Sequence, residues 1–227
     1  MARSKFYFPG SRKPNFSKIK RVSYDDYWTE RGFQMRSKLM EREVIFFDWI
    51  TRGSTVLDVG CGTSRLLFEL KAQKQCRVAG ADISPLVVAS LQQAGIDAFV
   101  ANIEDSAFQL IDHYDYIICS EKIEHLSQPE ELIAKLKAAA DYLVLSVPNS
   151  AFYRYRLGLM FRGRFFTQWM SHPSEHLRYW SHTDFLDWLS AMGLTVVTFK
   201  ASNGFELKDI WPNMFGHQIC YLAKTNR

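Results

Sequence analysis

The chain has 227 residues, 47% of them hydrophobic and 23% charged, a composition that suits one large globular domain and excludes a disordered or coiled-coil chain. No stretch reaches the about 18 consecutive apolar residues that a membrane span needs, and the basic N-terminus lacks the apolar centre of a secretory signal. The net charge of +4 comes from a tail: seven of the 28 Lys and Arg fall within residues 1–22, with no acid, leaving 21 against 24 acids and a net of −3 elsewhere, which argues against nucleic acid as the partner.

Residues 1–31 read as a basic arm, interrupted by Pro9, Gly10 and Pro14 and carrying Phe6, Tyr7, Phe8 and Phe16 as anchoring rings. Residues 32–227 read as the folded domain, with a cap-like insertion at 150–181. From Gly32 to Ile50 the pattern is helical, with Met35, Leu39, Met40, Phe46, Phe47 and Ile50 on one side and Glu43 breaking that side. Strand patterns follow at 56–59, 77–81, 98–101, 116–119 and 142–147, separated by helical patterns beginning at Ser64, Pro85 and Glu130. Short, almost wholly apolar strands alternating with helices predict an α/β fold with a doubly wound, mostly parallel sheet. Residues 150–180 are rich in Arg and aromatic rings and show no clear period. Ser181 then starts a helix that Gly193 stops, and strands at 194–199 and 218–223, joined by a long loop, predict an antiparallel finish. Cys61, Cys76, Cys119 and Cys220 have no C-x-x-C spacing, which predicts free thiols in a reducing, cytoplasmic setting.

The strongest signal is Val56-Leu57-Asp58-Val59-Gly60-Cys61-Gly62-Thr63-Ser64, a strand running into glycines and then a helix. Glycines let backbone approach a ligand, and a helix start offers unpaired N–H groups. Arg65 stands where a dinucleotide fingerprint needs glycine, and no Gly-Lys-Ser/Thr of a phosphate loop is present. Asp58, two residues before Gly60, would repel a pyrophosphate but suit an ammonium group. S-adenosylmethionine has an ammonium and a sulfonium and no phosphate. Asp82, 22 residues after Gly60, stands where a carboxylate can accept both ribose hydroxyls, with Ile83 next to it. Asn102 at the third strand end could meet an adenine edge, and Ile103 could cover its face.

These residues resemble the class I S-adenosylmethionine-dependent methyltransferases over roughly residues 35–225. The resemblance implies a seven-stranded Rossmann-like sheet, S-adenosylmethionine as cofactor, and cofactor contacts from Asp58, Gly60, Cys61, Gly62, Asp82, Ile83, Asn102, Ile103 and Ser120. Ser120-Glu121-Lys122-Ile123-Glu124-His125-Leu126 is similar to the loop after the family's fourth strand, which in small-molecule methyltransferases commonly carries Glu-His. A narrower resemblance is to the MetW family of methionine biosynthesis, through Ser146-Val147-Pro148-Asn149, Arg154-Tyr155-Arg156-Leu157, Arg162-Gly163-Arg164 and Ile210-Trp211-Pro212-Asn213-Met214-Phe215. It implies a homoserine acyltransferase as possible partner and a regulatory rather than catalytic role.

Methyl transfer from a sulfonium is an in-line displacement that asks chiefly for alignment and desolvation. If the acceptor must lose a proton, His125 is the leading catalytic candidate, with Glu121 second. Tyr27 and Trp28 could enclose the sulfonium or the acceptor. Asn149, Arg154 and Arg156 open the insertion and could bind a small anionic acceptor, although solvated arginines on an amphipathic helix, or contact with a membrane surface, read equally from the pattern. His172, His176 and His182 do not form H-E-x-x-H, and Pro173 interrupts helical spacing, so no metal is expected. The reading is therefore methyl transfer to a small molecule. The alternatives are a cofactor-binding partner of the acyltransferase, or a methyltransferase of RNA or protein steered by the basic arm.

Overall fold

The computed structural model describes residues 34–163 and 176–226. In chain order it forms α1 (Glu41–Trp49), β1 (Thr55–Val59), α2 (Leu66–Lys74), β2 (Arg77–Asp82), α3 (Pro85–Gln93), β3 (Asp97–Val100), β4 (Tyr114–Ser120), α4 (Pro129–Ala138), β5 (Ala140–Pro148), α5 (Tyr153–Arg162), α6 (His182–Ala191), β6 (Leu194–Gly204), α7 (Pro212–Phe215) and β7 (Gly216–Thr225). Short 3₁₀ turns at Ile123–His125 and Glu206–Asp209 complete it.

The seven strands make one sheet in the order β3-β2-β1-β4-β5-β7-β6. Strands β1 to β5 pair in parallel, and β7 lies antiparallel between β5 and β6. This is the expected α/β fold with its antiparallel last strand. The order reverses between β1 and β4, and ligands of such sheets bind outside the carboxyl ends at that reversal.

Side chains alternate along a strand, so each strand feeds two cores. Val56, Val78, Ile118 and Val144 pack on one face with Phe46, Leu67, Leu70 and Leu91. Leu57, Ile117, Leu143 and Leu145 pack on the other with Leu132, Leu136, Phe185 and Leu189. The alternation puts Asp58 on the same face as Val56, beneath α1.

Three local departures from the sequence pattern have physical causes. Among the described residues the first helix starts at Glu41, because the Glu43 carboxylate accepts the Met40 N–H at 2.7 Å and caps the helix there; residues 34–40 are not helical. Residues 153–162 form a helix where no period was visible. Leu157, Leu159, Met160 and Phe161 are all exposed on it, so no continuous apolar stripe had to be written into the sequence. The expected loop at 201–216 instead carries the end of β6 and α7. The predicted start at Ser181 is found as read, its hydroxyl accepting the Asp184 N–H at 3.1 Å. All four cysteines are free and buried.

Candidate active site

The β1–α2 turn is built by backbone geometry. Gly60 and Gly62 sit at φ +70° and +53°, a region costly for residues with a Cβ. A Cβ on Gly60 would also lie 2.6 Å from Cε of Lys122. The Gly60 N–H donates to the Ala81 carbonyl at 2.7 Å, which ties this turn to the end of β2. There Asp82 receives the Gly62 N–H on one carboxylate oxygen at 2.9 Å and the Ser84 N–H on the other at 3.0 Å. Each oxygen keeps a second lone pair, the arrangement a pair of ribose hydroxyls requires.

Asp58 is buried beside this turn. Burial, then the Glu43 carboxylate, pushes its pKa up to about 8, against the pull of Lys122 and Arg42. A buried carboxylate so raised gains from a cation brought to it. Glu43 was visible in the sequence only as a flaw in an apolar helix face. It is buried, and its carboxylate accepts from Ser64 Oγ at 2.9 Å and from Arg36 at 3.2 Å as well as from Met40. The flaw was the signal, since a charged residue on a buried face needs partners.

A polar chain runs from α1 under the reversal point to β7. Arg42 Nε donates to Ser120 Oγ at 3.1 Å, Ser120 Oγ meets Ser146 Oγ at 2.9 Å, and Ser146 Oγ donates to Glu121 at 3.2 Å. Gln218 Nε2 donates to the other Glu121 oxygen at 2.8 Å. Glu121 has φ +53°, a strained position for a side chain of this size. Burial raises its pKa. Arg42, Lys122 and Gln218 were not singled out in the sequence, because their roles depend on distant segments.

The 3₁₀ turn places His125 at the same sheet edge, about a quarter exposed. The Leu177 and Arg178 N–H groups both donate to the Glu124 carbonyl, at 2.8 and 3.1 Å. They bring His176 to His125 with ring centroids 4.6 Å apart, edge to face. Burial, then His125, pushes the His176 pKa down to about 3.

The remaining predicted residues scatter. Ile83 is exposed beside Asp82. Asn102 uses its side-chain oxygen on the Glu104 N–H at 3.1 Å, and Ile103 packs against the core. Cys61 is buried under the turn, its thiol 3.0 Å from where a Gly80 Cβ would stand. Asn149 is buried, with its amide nitrogen donating to the Pro212, Asn213 and Gly216 carbonyls and its oxygen accepting the Ala151 and His182 N–H groups. That uses its whole bonding capacity, so the structure makes it a clamp between β5 and α7 instead of a substrate ligand. Arg154 donates to the Tyr153 hydroxyl at 3.0 Å, and Arg156 to the Ala151 carbonyl at 2.5 Å. Tyr27, Trp28 and His172 lie outside the described residues. His182 is bound to the Tyr221 hydroxyl through Nδ1 at 2.9 Å.

The profile of the methyltransferase-domain family matches residues 20–198. The chain belongs to that family. This methyltransferase is 32% identical over 161 residues to the ubiquinone biosynthesis O-methyltransferase of Pseudomonas paraeruginosa, covering 63% of this chain and 68% of that one. It is 34% identical over 117 residues to the enzyme of the same name from Vibrio atlanticus, covering 48% and 49%. Its fold is shared with a chain of the complex between the Haloferax volcanii Trm112 methyltransferase activator and a methyltransferase (TM-score 0.64, 16% identity, 89% and 96% covered). It is also shared with an S-adenosylmethionine-dependent methyltransferase of Aquifex aeolicus (TM-score 0.60, 16% identity, 91% and 100% covered). The enzyme is thus a class I methyltransferase that uses S-adenosylmethionine. Its residues fit that cofactor by chemistry: a raised, buried carboxylate for an ammonium, an acid with two spare lone pairs for a ribose, and glycines where backbone must come close. When bound, the cofactor supplies an activated methyl group. Among the described residues no helix is long and apolar enough to cross a membrane.

Proposed function

We propose that this methyltransferase methylates an oxygen of a small-molecule acceptor that enters against the turn Ser120–His125. The observation that carries the reading is the position of His125, a partly exposed imidazole on the sheet edge next to the buried Glu121 network. The two curated relatives described above are O-methyltransferases of ubiquinone biosynthesis, and their names support oxygen as the acceptor atom. In this reading Asp82 holds the cofactor ribose and Asp58 faces its ammonium. Gly60, Cys61 and Gly62 lie along its amino acid end, Ile83, Asn102 and Ile103 border the adenine, and Ser120 closes the strand beneath it. His125 receives the proton that the acceptor hydroxyl loses, and Glu121 orders the floor of the pocket. Residues 1–31 act as an arm, and 150–181 as a cap in which Arg154 and Arg156 flank the acceptor entrance.

Because the relatives described above are named as O-methyltransferases, catalysis is preferred here to a regulatory role beside a homoserine acyltransferase. The test is transfer of a labelled methyl from S-adenosylmethionine to a panel of phenols and catechols with and without apolar tails. Label recovered as an aryl methyl ether, lost in His125→Ala, is expected. Label found in RNA or protein, or in no acceptor from a cell extract, would sink the reading.

A further inference from the structure

Glu124 has a carboxylate that nothing so far explains. It is 1% exposed. Neither of its oxygens has a hydrogen-bond partner among the described residues, and His125 Nε2 lies 3.9 Å from Oε1. Burial, with the Glu121 carboxylate adding to it, raises its pKa well above the usual range. A buried carboxylate left without donors is costly, and proteins resolve such a group by pairing it or by metal coordination.

Glu124, His125 and His176 each offer one ligand atom, and these atoms all lie within 4.8 Å of one another. Ligand bonds of about 2.1 Å place atoms around one ion up to about 4.2 Å apart, so a small side-chain movement closes the cluster. Two imidazoles and one carboxylate are the donors that suit Mn²⁺, Fe²⁺, Co²⁺ or Zn²⁺, whereas Mg²⁺ and Ca²⁺ prefer all-oxygen sets. The segment that carries His176 is pinned to the turn by the two N–H donors on the Glu124 carbonyl, so the third ligand is held by backbone. The sequence expectation of no metal considered His172, His176 and His182 together. The structure separates them, leaving His182 on Tyr221 and bringing His176 to a different segment.

We infer that Glu124, His125 and His176 bind one divalent transition-metal cation, with open coordination positions on the exposed His125 side where an acceptor oxygen can reach it. The last clause rests on the oxygen-acceptor reading above. Once bound, the cation lowers the pKa of the hydroxyl it binds, which gives its proton to solvent, so that His125 serves the same transfer as a ligand and takes the proton itself only when no cation is bound.

The test is titration of the full chain with Co²⁺ and with Mn²⁺, without cofactor or acceptor, followed by visible absorption and calorimetry. One equivalent should bind, and Glu124→Gln or His176→Gln should weaken it by about tenfold or more, with affinity for S-adenosylmethionine unchanged. Should those variants fail to fold, pulsed electron resonance of Mn²⁺ on the unaltered chain decides the matter, since coupling to imidazole nitrogen is expected. No uptake of either ion, bound Mn²⁺ without nitrogen coupling, or folded variants that bind like the parent would each overturn the site. Because the readout needs no methyl transfer, the site can fail while the oxygen-acceptor reading stands. That reading can equally fail in the labelling experiment while the cation still binds.

Discussion

The two sides of the sheet reversal are built differently. On the β1–β2 side, contacts are made by residues close in sequence and by backbone: two glycines at positive φ, and one acid bonded to N–H groups from residues 62 and 84. On the β4–β7 side, side chains meet across long separations: Glu121 with Gln218, His125 with His176, and His182 with Tyr221. The first side can be written as a short motif. The second is assembled from distant segments, so it can vary while the motif stays; in the function proposed above the first side holds the cofactor and the second faces the acceptor.

If that contrast is right, the largest single effect belongs to Asp82. Asp82→Ala should weaken S-adenosylmethionine binding on the order of a hundredfold by calorimetry, because charge-assisted hydrogen bonds are worth about 1.5–3 kcal/mol each and two buried N–H groups lose their acceptor. Unchanged affinity would break the comparison at its firmer end. Asp58 sharpens it. With a pKa near 8 in the folded protein, it is mostly protonated at neutral pH, and an ammonium brought beside it favours the ionised form. Binding should therefore release a proton near pH 7, seen by calorimetry in buffers of different ionisation enthalpy, and affinity should rise as pH climbs toward 8. Asp58→Asn should abolish both and bind about tenfold more weakly.

The same shift has a consequence for stability. The folded state holds a proton that the unfolded state gives up near pH 4, so Asp58 makes the cofactor-free protein less stable as pH rises from there toward 8. Urea midpoints across that range should show the fall, reduced in Asp58→Asn. On the other side, Tyr221→Phe removes the buried partner of His182 and should cost about 1–2 kcal/mol of unfolding free energy, with cofactor affinity unchanged. The smallest effect is expected at Arg156, which is exposed and, among the described residues, bonded to a local carbonyl. Arg156→Ala should stay within about 0.5 kcal/mol of the parent in stability, and a larger loss would show that the α5 surface is more than a solvated face.

The same contrast explains what could be read before the fold was known. The sheet was legible because buried parallel strands must be continuously apolar, and the glycine turn was legible because only glycine tolerates its backbone. Asp58 and Asp82 stood out because their spacing from those glycines is fixed by the βα unit. Asn149 was misjudged, since a motif match cannot show that five backbone groups already occupy an amide. His176 was set aside because its value depends on Glu124, 52 positions earlier, which no local period connects to it. Helix α5 was read only as one alternative for its arginines, because it buries too little to need a stripe.

The placement of β7 bears on how the chain is made. Among the described strands β7 comes last in the sequence, yet it is interior, with β5 on one side and β6 on the other. Until it emerges from the ribosome, β5 presents an open edge and β6 has no neighbour to join. The cofactor side can mature during translation, while Gln218 reaches Glu121 only at the end. A nascent chain stalled before residue 216 should therefore already hold its glycine turn in place yet lack the Gln218–Glu121 contact, so that the β4–β7 side is the part of the sheet edge that forms last.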